Sequence, residues 1–225
     1  VRDVNHYLMS SRKPGHTARA RAYAPTNITI DNVTIAGNGH VPLYFAPGVT
    51  HSTFINSEIK GEIRRLAIYL DAESAFNVIK NNVFNVQTRP NFVLGILSGL
   101  DFPPGISMIA VDGSSNNVID GNTFPLLEYG GIFLYRNCGE GSVIRHATPS
   151  YNKITNNVFT YRDSSFDPAV YLGSRGGRGW FPVFNNHPCD LDVGYLDAGS
   201  AKSNEDDARH NVVTNNKFYS DRPLA

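Results

Sequence analysis

Ile79-Lys80-Asn81-Asn82-Val83-Phe84 is the stretch on which the reading of this chain turns. An apolar residue, a polar one, two asparagines and a second apolar pair make a short extended run broken by a tight bend. The pattern returns as Ile119-Asp120-Gly121-Asn122-Thr123-Phe124, Ile154-Thr155-Asn156-Asn157-Val158-Phe159 and Val213-Thr214-Asn215-Asn216-Lys217-Phe218. Looser copies precede it at Ile30-Asp31-Asn32-Val33-Thr34-Ile35 and Phe54-Ile55-Asn56-Ser57-Glu58-Ile59. The first two steps are 24 and 25 residues, and the later ones are longer. Repetition in this range is the mark of a solenoid, whose units cannot bury their apolar faces alone and must stack.

The unit is made of strands. No 3.6-residue periodicity runs through it, so the helical half of a leucine-rich repeat is missing. A second apolar run follows each first one: Leu43-Tyr44-Phe45, Ile68-Tyr69-Leu70, Ile109-Ala110-Val111, Ile132-Phe133-Leu134 and Val170-Tyr171-Leu172. Two or three short strands in a turn of roughly 22 to 25 residues is the plan of a parallel β-helix. Side chains alternate along a strand, so the outer two residues of each run point inward and the middle one outward. Stacking at roughly 4.8 Å lines these up as columns. Asn32, Asn56, Asn81, Asn156 and Asn215 form another column, expected at a bend where asparagine accepts left-handed backbone.

The all-β solenoid is expected to carry loop insertions near 85–105 and 173–208. Residues 1–25 read as a basic N-terminal arm or the remnant of a cap, with Arg2, Arg12, Lys13, Arg19 and Arg21 against Asp3. Residues 26–225 read as the β-helix domain. The chain opens at Val1, which suggests a processed form or an excised fragment. Lys plus Arg and Asp plus Glu are 20 each, so no global field invites nucleic acid. No 18-residue apolar stretch spans a membrane. Cys138 and Cys189 allow either one disulfide of an exported protein or two unrelated thiols. Nothing in the sequence reports the oligomeric state.

The outward middle positions are Tyr44, Tyr69, Ala110, Phe133 and Tyr171, an aromatic row along the axis. Such a row offers a stacking platform to sugar rings, unless the insertions fold over it. Just beyond the strands stand Asp71, Asp112 and Tyr135, in turn contexts such as Asp71-Ala72-Glu73-Ser74. Asp71 and Asp112 are expected on adjacent coils, roughly 5 Å apart. Two carboxylates that close suit acid and nucleophile on a glycosidic bond, or a cation such as Ca2+. No other metal spacing is present. Tyr135, Arg136, Arg145 and His146 supply the cation and the base that proton abstraction from a uronic acid requires, and Arg175 lies in the following Gly-rich loop.

The repeated coils and the run Tyr129-Gly130-Gly131-Ile132-Phe133-Leu134-Tyr135-Arg136-Asn137 resemble right-handed parallel β-helix proteins of bacteria, the pectate-lyase-like superfamily. The resemblance covers about residues 26–219 and implies the handedness of the coil. It brings no complete catalytic signature, so no residue role is carried over from it. The resulting expectation is a secreted, periplasmic or cell-surface protein that cleaves or modifies a polysaccharide as a lyase, hydrolase or epimerase. Catalysis would fall to Asp71, Asp112, Tyr135, Arg136 and His146, with Tyr44, Tyr69, Phe133, Tyr171, Arg145 and Arg175 binding the polymer. A non-catalytic glycan-binding or adhesion module, or a structural solenoid of a larger chain, would use the same fold, because fold does not settle function.

Overall fold

The computed structural model describes residues 15–37, 41–63, 66–88, 107–136, 145–162, 168–173 and 208–220. Among the described residues one helix, α1 (His16–Tyr23), precedes a coil that turns five times through three strands and begins a sixth turn. The first coil holds β1 (Thr29–Asp31), β2 (Thr34–Gly37) and β3 (Leu43–Phe45), and the second β4 (Thr53–Ile55), β5 (Glu58–Ile63) and β6 (Ile68–Leu70). The third holds β7 (Val78–Lys80), β8 (Val83–Thr88) and β9 (Ser107–Asp112), and the fourth β10 (Val118–Asp120), β11 (Thr123–Leu127) and β12 (Gly130–Tyr135). The fifth holds β13 (Lys153–Thr155), β14 (Val158–Tyr161) and β15 (Val170–Leu172), and β16 (Val212–Thr214) and β17 (Lys217–Ser220) follow. Every third strand pairs in parallel, which gives three sheets in the order β1-β4-β7-β10-β13-β16, β2-β5-β8-β11-β14-β17 and β3-β6-β9-β12-β15. This is a single right-handed parallel β-helix.

The register is the one the repeats dictate. Leu43, Ile68, Ile109, Ile132 and Val170 stand opposite one another, as do Phe45, Leu70, Val111, Leu134 and Leu172. The inner positions of the middle three coils are all 0 % exposed. Leu172 is the exception: it is exposed, because β15 ends the third sheet and no described strand lies above it. In the second sheet Phe84, Phe124 and Phe159 stack nearly parallel with ring centroids 4.7 and 4.8 Å apart. The insertion expected from residue 85 begins later, since β8 continues to Thr88 and pairs residue for residue with β5. The rest of that insertion, and residues 174–207 of the second one, lie outside the described residues.

The bends explain the asparagines. Asn32, Asn56, Asn81, Asn156 and Asn215 all have φ between 52° and 57°, and Gly121 fills the same place at 67°. Each second asparagine has a different task. Asn82, Asn122 and Asn157 point inward, and each Oδ1 accepts the backbone N–H of its counterpart one coil earlier. Their Nδ2 groups donate to the carbonyls of Phe54, Ile79 and Ile119. A second inner ladder, Ser52, Asn77, Asn117, Asn152 and Asn211, does the same at the corner between the third and first sheets. That corner is turned by Asn27, His51, Phe76, Asn116, Tyr151 and His210, with φ from 52° to 61°. For a residue with a bulky side chain this conformation costs roughly 1–2 kcal/mol.

Helix α1 lies along the turns that follow the third sheet. Ala20 packs on Ala72, and Gly48, at φ 81°, brings its backbone so close that a Cβ would meet the Ala20 carbonyl at 2.6 Å. Residues 16–23 of the expected arm are therefore a helix laid on the coil wall.

Two consequences are measurable by urea or thermal unfolding. Leu70→Asp should fail to fold, because a lone carboxylate between stacked coils costs several kcal/mol, while Lys80→Ala, whose partner Asp120 is a surface pair at 3.1 Å, should stay within about 0.5 kcal/mol of wild type. Asn122→Ala strands buried donors and acceptors on two coils and should cost about 2–5 kcal/mol, whereas Asn81→Gly keeps a residue at ease at positive φ and should cost a few tenths. Equal losses at Asn81 and Asn122 would contradict the division into bend and ladder positions.

Candidate functional site

The outer face of the third sheet is built by the alternation of its strands. Tyr44, at the middle of β3, points out and its hydroxyl donates to Asp71 Oδ2 at 2.5 Å, across to the next coil. One level up, Tyr69 repeats the contact with Asp112 Oδ2 at 2.5 Å. Both are diagonal contacts between outward positions two residues apart in register, which parallel strands place within reach of a tyrosine. Ala110 ends the ladder because it has no hydroxyl.

The two carboxylates are buried, Asp71 to 5 % exposure and Asp112 to 0 %. Arg145 crosses both. Its Nη2 and Nε lie 2.9 and 3.2 Å from Asp71 Oδ1, its Nε lies 3.3 Å from Asp112 Oδ2, and its Nη2 donates to the Tyr69 hydroxyl at 3.3 Å. One guanidinium thus offsets the repulsion of two carboxylates held out of water. The segment carrying Arg145 is fixed in turn. Arg136, just past β12, donates to the carbonyls of Arg145 and His146 at 3.3 and 3.1 Å. The buried Glu73 carboxylate accepts the N–H groups of His146 and Ala147 and the Thr17 hydroxyl of α1. The His146 ring stacks on His16 of α1 at 4.3 Å.

Most of the residues singled out in the sequence meet here. Asp71, Asp112, Arg145, Tyr44 and Tyr69 touch directly, and Tyr135 is the register partner of Asp112. Arg136 and His146 act through the backbone of the segment that carries Arg145. Phe133 and Tyr171 share the same face at 5.6 Å between ring centroids. The expected exposed row is nevertheless broken, because Phe133 is only 1 % exposed, and a Cβ on Gly130 would meet its ring at 2.0 Å. The missing side chain of Gly130 is what lets that ring lie down. Tyr44, at 49 % exposure, is the open aromatic. Arg175, Cys138 and Cys189 lie outside the described residues. Sequence reasoning missed Glu73, Thr17 and His16. Glu73 stood in a quoted turn, but its positive φ of 64° and its buried carboxylate appear only in the folded chain.

Burial first, then the negative charges of Asp112 and Asp71, hold the Tyr69 phenol well above its usual pKa of 10.0, more than Arg145 lowers it. At neutral pH Tyr69 is a hydrogen-bond donor, and its acceptor is already Asp112. A Ca2+ ion between Asp71 and Asp112 would face the Arg145 guanidinium, so this donor set does not fit calcium, and no group of three His, Cys, Asp or Glu side chains forms a metal site among the described residues. Because the folded pKa of Tyr69 lies above the unfolded one, its contribution to stability is complete below pH 10 and is lost as pH rises beyond it. Stability of the wild type should therefore fall more steeply above pH 10 than that of Tyr69→Phe, as read from urea midpoints across that range. Parallel curves would place the phenol in an ordinary setting.

A family model described as "Right handed beta helix region" matches residues 15–176. No curated protein and no solved structure matches the chain. The matched span begins with α1 and runs past β15, so it takes in the three-strand coils, the tyrosine–aspartate ladder and Arg145. By its matched sequence and its stacked parallel coils alike, the chain belongs to the right-handed β-helix family.

Proposed function

We propose that this chain is an exported carbohydrate-active protein of the pectate-lyase-like kind that cleaves or modifies a polysaccharide on the outer face of its third sheet. One observation carries the reading: five polar and aromatic side chains from three successive coils and one returning segment interlock on that face, with Tyr135 in the adjoining position. An extended polymer suits a face that repeats along an axis. Tyr44 and Tyr171 offer ring surface, and sugar CH faces pack on such rings. Tyr135, partly open at the end of β12 and paired with Asp112, is the phenol we assign to proton transfer. The Tyr69–Asp112–Arg145 cluster fixes the surroundings in which that phenol works.

A second reading, a glycan-binding module without catalysis, draws on the same cluster. Asp71 and Asp112 each already hold a tyrosine hydroxyl and Arg145, which suits carboxylates that shape a face rather than attack a bond.

A panel of acidic and neutral polysaccharides decides between them. Ultraviolet absorbance registers the unsaturated uronate left by elimination, and a reducing-sugar assay registers hydrolysis. Tyr135→Phe should lower turnover by about 100-fold or more, the range for a lost acid–base group, while binding stays near wild type. Full activity in Tyr135→Phe would remove Tyr135 from the chemistry. Binding without turnover by the wild type on every polymer would establish the second reading.

A further inference from the structure

The corner between the third and first sheets carries a feature that neither the turn nor the third-sheet site requires. Asparagine turns the opposite corner on five coils, and Asn27 and Asn116 turn this one. Yet His51, Phe76, Tyr151 and His210 take the same left-handed conformation, which bulky side chains disfavour. Their rings are on the surface, Phe76 at 43 % and Tyr151 at 57 % exposure. They pair as parallel stacks, His51 on Phe76 at 5.1 Å and 13°, and Tyr151 on His210 at 4.9 Å and 16°. Between the two stacks, on the intervening coil, stands Asn116, whose amide bonds back to Ser115 Oγ at 3.1 Å. Backbone bonds Phe76 to Ser115 and Asn116 to Ser150 place these residues on successive coils.

Phe76 and Tyr151 are therefore separated by two coil spacings, about 10 Å. The core shows what that distance holds. Phe84 and Phe159, on the same two coils, enclose Phe124 as a third parallel ring at 4.7 and 4.8 Å. At the surface corner the Phe76 and Tyr151 rings belong to coils two levels apart, and the shorter Asn116 side chain belongs to the level between them. A cation stands beside the Phe76 ring. The Arg21 guanidinium is 5.9 Å from the Phe76 ring centroid, its Nε donates to the Glu73 carbonyl at 2.8 Å, and Glu73 also acts on it as a charge partner. Strained residues held on a surface without a local reason point to a binding role.

We propose that the notch between Phe76 and Tyr151 is a second carbohydrate site that takes one acidic sugar residue. The sugar ring fills the missing level of the stack, its CH faces on the two aromatic walls, its hydroxyls toward Asn116 and its carboxylate toward Arg21. The proposal rests on the reading of this chain as a polysaccharide-binding protein, but it uses a different face.

Amide shifts in the isotope-labelled protein, titrated with galacturonate, mannuronate and neutral glucose trimers, test it. Saturable shifts are expected at Phe76, Asn116 and Tyr151 with an acidic trimer, roughly tenfold weaker with the neutral one or in Arg21→Gln. Asn116→Phe, which fills the notch with a bulky residue in the left-handed conformation and so lowers the melting temperature modestly, should abolish these shifts, and Tyr151→Asn, which removes a wall but keeps a residue suited to the turn, should abolish them at an unreduced melting temperature. Shifts confined to the amides of Tyr44, Tyr69 and Tyr135 would overturn the second site and leave the third-sheet site standing. Shifts at the corner alone would uphold it and sink the third-sheet reading. Corner shifts that survive in Asn116→Phe, or no shift with any trimer, would overturn the notch.

Discussion

The hydrogen bond from a backbone N–H to an inward asparagine one coil further on holds the rest of this structure in place. A chain that turns a tight corner leaves buried donors and acceptors that its own strands cannot reach. Asn77, Asn82, Asn117, Asn122, Asn152 and Asn157, followed by Asn211 and Asn216, supply both kinds of group at the same height on each coil, with N to Oδ1 distances of 2.8–3.0 Å. The amides also donate to one another along part of each ladder. With the corners satisfied, the apolar columns between them need only be of matching size. The coil spacing is thus fixed at the corners, and the outer faces inherit it.

The third-sheet site is a product of that inheritance. Tyrosines on two successive coils repeat one contact because the coils repeat one geometry. The charges are less comfortable. Two carboxylates with almost no exposure are balanced by one arginine that is itself 4 % exposed. Removing Arg145 alone would leave the carboxylates facing each other in a low-dielectric wall, a far larger penalty than the pair itself is worth. Such a cluster defines shape better than it adds stability, and a defined shape is what a polymer-binding face needs.

Much of this was legible in the sequence. The spacing of Leu43-Tyr44-Phe45, Ile68-Tyr69-Leu70 and their successors fixed the strand register, and therefore the pairing of Tyr135 with Asp112. Alternation along a strand then placed Asp71, Asp112, Tyr44 and Tyr69 on one face. What alternation cannot give is a contact made by a returning segment. Arg145 lies nine residues beyond Arg136 in the chain and 74 from Asp71, and only the folded path shows that it spans both carboxylates. Likewise, the burial of Phe133 depends on a rotamer that Gly130 permits, which no outward-pointing count reveals. The asparagine pairs hid a division of labour behind identical letters: one residue bends the chain, and the next feeds the interior.

Helix α1 has a consequence for the order in which the molecule is assembled. Coils join to neighbours only 24 or 25 residues away at the start of the solenoid, so each can settle as soon as the next emerges. The partners of α1 come far later. Thr17 meets Glu73 across 56 residues, and the His16 ring waits for His146. A segment made before the coils is therefore among the last to find its place, after the wall it covers has been built. Closing contacts of that separation are slow to form, and until they do, the turns following the third sheet, with Ala72 and Glu73, stand uncovered to solvent.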